Sequence, residues 1–194
     1  EVRLLRLKLE NKQFQELSTF LEHTFEPLWA DVKDASISMW PLESRDNCLP
    51  QKKQTLSPSD LGFHNCHKTK DEALTFLDFD YFGWDDPVKL TADFIWHPAM
   101  NLNTELKEKW QETMLELFSE DINFEARLNA AMPLYGLRWA LIVLNEYLPG
   151  FADRRKDAGK KETYNIDKTR KIQLNKARHY CEKVKSMVSQ SAFS

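Results

Sequence analysis

Glycine is scarce in this 194-residue chain. Gly62, Gly83, Gly136, Gly150 and Gly159 are the five, and no two lie within eight residues of each other. Loops of the GxGxxG and GxxxxGK[ST] types are therefore absent, so the chain has no glycine-rich loop of its own on which to cradle a nucleotide's phosphates. Cysteine is also sparse. Cys48, Cys66 and Cys181 are an odd number without a CxxC pair, which suits reduced thiols in the cytoplasm better than a disulfide scaffold. Long apolar runs are missing: the longest, Trp139 to Leu144, falls far short of the roughly 20 residues of a membrane helix. The opening Glu-Val-Arg-Leu-Leu-Arg has no apolar core of a secretory leader. Nor is there an excess of positive charge. Lys+Arg is 27 against Asp+Glu 30, a net charge of -3, which argues against nucleic acid as a partner. The expectation is a cytoplasmic protein with neither membrane nor nucleic-acid partners.

What remains is ordinary globular material, 42% hydrophobic and 29% charged, enough for one sizeable domain. Leu7, Phe14, Leu17, Leu21, Leu28 and Val32 form one stripe of a 3.6-residue period, which predicts a long first helix that Pro27 kinks or splits. Residues 34–58, with three prolines and no sustained period, read as a long loop with one short element near Ile37–Trp40. Leu74 to Phe79 is β-prone and follows a turn, which predicts a hairpin whose first arm lies near Cys66–Lys68. Asp86-Pro87 is an N-cap and first-turn pair for a helix reaching about Trp96. Further helices are expected from Asn103 or Thr104, from Asp121 or Asn123 with an interruption at Pro133, and from Asp167 to the end. Residues 153–162 read as a charged connector. The fold class is α+β, predominantly helical, with one small β-hairpin.

The chemistry concentrates on that hairpin. Asp60 and Asn65 are separated by four residues, and Asp78 follows in Leu77-Asp78-Phe79-Asp80. Phosphoryl transfer asks a protein for little covalent chemistry; it needs a carboxylate near an acceptor hydroxyl and oxygen ligands for Mg²⁺. A loop feeding a hairpin can deliver all three, with Asp60 as the catalytic base or orienting group and Asn65 and Asp78 as metal ligands. The same spacing also suits two turn-capping residues and a strand end.

The stretches Ser57-Pro58-Ser59-Asp60-Leu61-Gly62-Phe63-His64-Asn65 and Phe76 to Pro87 resemble the catalytic loop and metal-binding strand of the aminoglycoside phosphotransferase and choline kinase group, small-molecule kinases with a protein-kinase-like fold. The family pattern is His-Gly-Asp, four residues, Asn, a short hairpin to Ile-Asp, then Asp-Pro and an Asp within the next helix. Asp60, Asn65, Asp78, Asp86-Pro87 and Asp93 have counterparts in it. The resemblance covers about residues 55–97. It implies a single C-terminal catalytic lobe over residues 1–194, Mg²⁺ as cofactor, ATP or GTP as co-substrate and a small-molecule hydroxyl acceptor. Asp86 and Asp93 would be structural supports. Two departures stand out. The family's loop-bracing His, two residues before the catalytic Asp, is Pro58 here. The nucleotide-binding N-terminal lobe, a β-sheet with a phosphate-covering loop and a Lys, has no counterpart in this chain. That lobe is the expected partner, and the chain alone is expected to be inactive.

The alternatives are a non-catalytic, pseudokinase-like binding module, or a zinc hydrolase built on His64, Cys66 and His67, with Cys48 recruited. Residues 71–93 carry seven acidic residues and one basic residue. Asp80 is the one left open for a cationic acceptor or a second metal ion, whereas Asp85 and Asp86 read as solvated and capping residues. Trp84, Trp96, Trp110 and Trp139 read as core, or as walls of an acceptor pocket.

Overall fold

The computed structural model describes residues 1–151 and 165–191. The chain is predominantly helical with four short strands among the described residues, an α+β arrangement. It divides into two compact units, Glu1–Asp34 with Gly136–Ser194, and Ala35–Tyr135. No helix among the described residues is long and apolar enough to cross a membrane. The charged connector expected at 153–162 lies outside the described residues.

The first unit holds α1 (Val2–Glu10), α2 (Gln15–Phe20), a π turn (Leu21–Phe25) and the start of α3 (Glu26–Met39). The predicted stripe is buried at Leu7, Leu17, Leu21, Leu28 and Val32, but the helix expected to carry it is broken at Asn11. That residue is buried, and its Nδ2 donates to the Leu7 carbonyl at 3.1 Å, taking one of the acceptors that a helix end leaves open. Pro27 does not break the chain. It sits at the second position of α3, behind the π turn, where the Glu26 N–H reaches back to Leu21 O. Carbonyls paired one residue further along leave room for a ring that an ordinary turn would exclude. The same unit contains the end of α7 (Phe124–Ile142), a 3₁₀ turn (Val143–Tyr147) and α8 (Ile166–Ser191). Leu174, Ala177, Cys181 and Val184 form the buried face of α8. Its cap is Asn165, whose Oδ1 accepts from Lys168 N at 2.9 Å, two residues before the expected Asp167.

In the second unit α3 runs on to Met39, so the expected long loop begins later. It also contains α4 (Leu42–Arg45), a 3₁₀ turn (Gln51–Lys53) and β1 (Thr55–Ser57). Within α3, Ser36 is buried and Ser38 Oγ donates back to Ala35 O. The predicted hairpin is present: β2 (Cys66–Lys68) pairs antiparallel with β3 (Leu74–Phe76), Cys66 opposite Phe76. A second pairing was not anticipated. β1 joins β4 (Gly83–Asp85) in the register Thr55 to Asp85 and Ser57 to Gly83, closing residues 58–82 into one loop-and-hairpin body. α5 (Pro87–Trp96) starts at Asp86-Pro87 as expected, and packs on β1 and on α6 (Thr104–Leu117), whose cap is Asn103. Trp96 Nε1 donates to Met132 O at 2.9 Å and Trp110 Nε1 to Thr91 O at 3.2 Å. Trp96 and Trp139 are core residues, while Trp84 is exposed. Pro133 does not interrupt α7. One lost backbone bond is outweighed by the burial of Leu128, Ala130, Ala131 and Leu137 on either side.

Candidate functional site

The loop leaving β1 turns sharply. Asp60 N donates to Pro58 O at 2.7 Å, and Ser59 takes a left-handed φ of 61°. Ser59 is held there from two sides: Lys89 Nζ donates to its Oγ at 2.9 Å, and that Oγ donates to Tyr81 O at 3.1 Å. Lys89 also pairs with Asp85 at the end of β4. The turn, β4 and α5 are thus tied together, and Asp60 is presented from the tied segment.

Asn65 joins Asp60 to the hairpin. Its Nδ2 donates to Asp60 O at 3.1 Å and to Asp60 Oδ2 at 3.3 Å. Its backbone carbonyl accepts from Leu77 N at 2.8 Å, extending the β2–β3 ladder by one bond. Asp78 is the next residue and has a φ of 63°. Two non-glycine residues in the left-handed region, Ser59 and Asp78, thus sit on the segments that deliver Asp60 and the Asp78 carboxylate. Such backbone strain costs about 1–3 kcal/mol per residue and concentrates at functional sites. Asp80 is exposed in the following loop, which closes with Phe82 N donating to Phe79 O.

Asp86 and Asp93 lie elsewhere. Asp86 Oδ1 accepts from Val88 N at 2.9 Å as the cap of α5, and its two carboxylate oxygens take a fork from Arg127 Nε and Nη2, each at 3.2 Å. Arg127 is almost wholly buried and also donates to Asp121 at 2.8 Å. Burial opposes a charge on Asp121, but bonds from Lys53, Arg127 and Asn123 outweigh it and hold its carboxyl below the ordinary range. Asp93 is buried on α5, one turn before His97.

Two histidines complete the neighbourhood of Asp60, and the role of His97 was not evident from the sequence. His64 Nε2 lies 3.2 Å and His97 Nε2 3.4 Å from Asp60 Oδ1. The two rings stack with centroids 4.2 Å apart and planes 1° apart. Burial, with a smaller push from His64, drives the His97 pKa down to about 4 against the pull of Asp60. Gly62 makes the room: a Cβ there would come within 2.6 Å of the His64 ring and 2.9 Å of Met100 Sδ. Asp60, His64 and His97 are also the one group of three metal-ligating side chains gathered among the described residues; Cys66 and His67 are not part of it. The only trace of His97 in the sequence is its position at the end of α5, four residues after Asp93.

Around this site Phe63, Leu77, Phe79, Tyr81, Phe82 and Trp84 are exposed. In comparisons with family models, with characterised proteins and with solved structures, nothing matches this chain.

Proposed function

We propose that the chain is the C-terminal lobe of a small-molecule kinase, one that moves the γ-phosphoryl group of ATP or GTP to a hydroxyl of a small acceptor. One observation carries the reading: Asn65 donates its amide to the Asp60 carboxylate and, through its backbone, binds the residue before Asp78. The loop carboxylate and the amide thereby share one hydrogen-bonded body with the strand that leads to Asp78.

The donor set fits Mg²⁺. With the Asn65 amide nitrogen engaged by Asp60, its oxygen is left for a cation, and Asp78 adds a carboxylate; both are hard oxygen donors. Asn65 and Asp78 would hold the ion, which would supply neutralising charge for the phosphates. Asp60 does the work of the chain itself. Its carboxylate orients the acceptor hydroxyl and takes its proton as the oxygen attacks phosphorus. Asn65 and the two histidines keep that carboxylate from turning away. Asp80 is the candidate for a cationic acceptor or a second ion. The exposed aromatic residues suit one wall of a cleft whose other wall is a β-rich lobe.

The test uses the complete protein. Asp60→Ala is expected to abolish turnover with Mg·nucleotide binding nearly intact, and Asp78→Ala to lose both. Wild-type turnover in Asp60→Ala defeats the assignment. Calorimetric titration with Mg·ATP separates the non-catalytic alternative, which takes its support from Pro58 in place of the bracing His: binding without turnover in the wild type favours a binding module.

A further inference from the structure

We propose that His97 is a positioning residue: stacked beneath His64, it backs that ring and clamps the Asp60 carboxylate in place. The catalytic consequence rests on the phosphoryl-transfer reading, whereas the geometry stands apart from it.

The backbone N–H of Ala99 donates to His97 Nδ1 at 3.1 Å. An N–H aimed at Nδ1 requires a lone pair there, so in the neutral ring the proton sits on Nε2. That is the edge facing Asp60 Oδ1. The His97 side chain is only 11% exposed, and α5 and the Ala99 bond hold it in place. His64 is more exposed, and its ring lies flat on His97. A buried imidazole thus backs a more exposed one, and both present an Nε2 edge to a single oxygen. The other carboxylate oxygen is taken by Asn65. With its pKa pushed down to about 4, His97 stands neutral beside Asp60 Oδ1 at 3.4 Å and forms no ion pair that would weaken Asp60 as a base.

The same three side chains suggest a metal centre, but the rings argue against one. The rings are parallel with centroids 4.2 Å apart, so only one of them can aim an in-plane Nε2 lone pair squarely at an ion beside Asp60. A metal-bound Nε2 also needs a proton on Nδ1, where Ala99 donates.

Two measurements test the clamp. Long-range ¹H–¹⁵N spectra of the uniformly labelled chain at pH 7 should show His97 neutral, with Nδ1 unprotonated and Nε2 protonated, and Asp60→Asn should move the Nε2 resonances of both His97 and His64. A charged ring, the opposite tautomer, or stoichiometric Zn²⁺ uptake that shifts both rings would overturn it. In the complete protein, with Mg·ATP as the probe and phosphate release to water as the readout, His97→Leu should lower kcat by roughly tenfold to a hundredfold with KM unchanged. His97→Gln, which keeps an amide donor, should recover most of that loss. Equal losses in the two variants, or a loss confined to KM, would reduce His97 to a packing residue. If the wild type transfers no phosphoryl group, the kinase reading falls and the catalytic consequence with it, while the ring spectra still decide the clamp.

Discussion

Replacing Arg127 by Met is the sharpest test of how the second unit is held together. The guanidinium is 1% exposed and makes three bonds: one to Asp121 at 2.8 Å and a fork to Asp86 at 3.2 Å. Met fills a similar volume, so little of the loss would come from a cavity. What remains is two carboxylates without their shared cation. Breaking a buried ion pair from one side costs about 3–5 kcal/mol. Two features place this case at the low end. Asp121 keeps Lys53 at 2.8 Å, and Asp86 keeps its capping bond from Val88 N and is a quarter exposed. We expect a loss of about 3 kcal/mol, which for a chain of this size lowers Tm by roughly 6–12 °C. Urea unfolding and calorimetry at pH 7 measure it. Asp121→Asn combined with Arg127→Met should recover part of the loss, because it removes one stranded charge. A single-variant cost below about 1 kcal/mol, or a double-mutant cycle additive to within about 0.5 kcal/mol, refutes the idea that Arg127 joins the start of α5 to the turn at residues 121–124.

Acid should destabilise the protein in two stages. The folded-state pKa of His97, about 4, lies below its ordinary 6.5, so the unfolded chain binds more protons between these values. Stability is then complete above pH 6.5 and lost on descending toward 4, and His97→Gln should flatten that part of the urea-stability profile. Asp121, held below the ordinary carboxylate range, adds stability that is present above about 3.8 and lost as the pH falls through its folded value. Gly62→Ala should cost less than about 1 kcal/mol, because its backbone is extended and the atoms in the way are side-chain ends. It should nevertheless push His64 off Asp60, visible as a changed His64 ring spectrum at near-native Tm; an unchanged ring would contradict the crowding. Exposed Cys48 should react with a thiol reagent at pH 8, whereas Cys181, buried and with its pKa raised to about 12, should react only on unfolding. Fast native labelling of Cys181 would count against the packing of α8.

The helical stripe at Leu7, Leu17, Leu21, Leu28 and Val32, the hairpin of Cys66–Lys68 with Leu74–Phe76, and the Asp86-Pro87 start of α5 could all be read directly, because each depends on residues close in the chain. The misreadings share a cause. Pro27 and Pro133 signal a break by local rules, but a π turn accommodates the first and burial on both sides the second. Asn11 looks unremarkable until its side chain is seen to close the end of α1. β1 and β4, three residues each and 28 positions apart, carry no periodicity from which to infer a pairing.

At the candidate site the same division holds. The positions of Asp60, Asn65 and Asp78 in the chain follow from spacing alone, because a short loop and a tight hairpin leave the backbone few ways to run. That Asn65 bonds the Asp60 carboxylate, that Lys89 pins a strained Ser59, that Arg127 is buried against Asp86 and Asp121, and that His97 arrives beside Asp60 were decided only by tertiary structure. Each joins residues whose separation along the chain leaves their meeting unspecified, until the packing of α5 and the closure of β1 on β4 remove the alternatives.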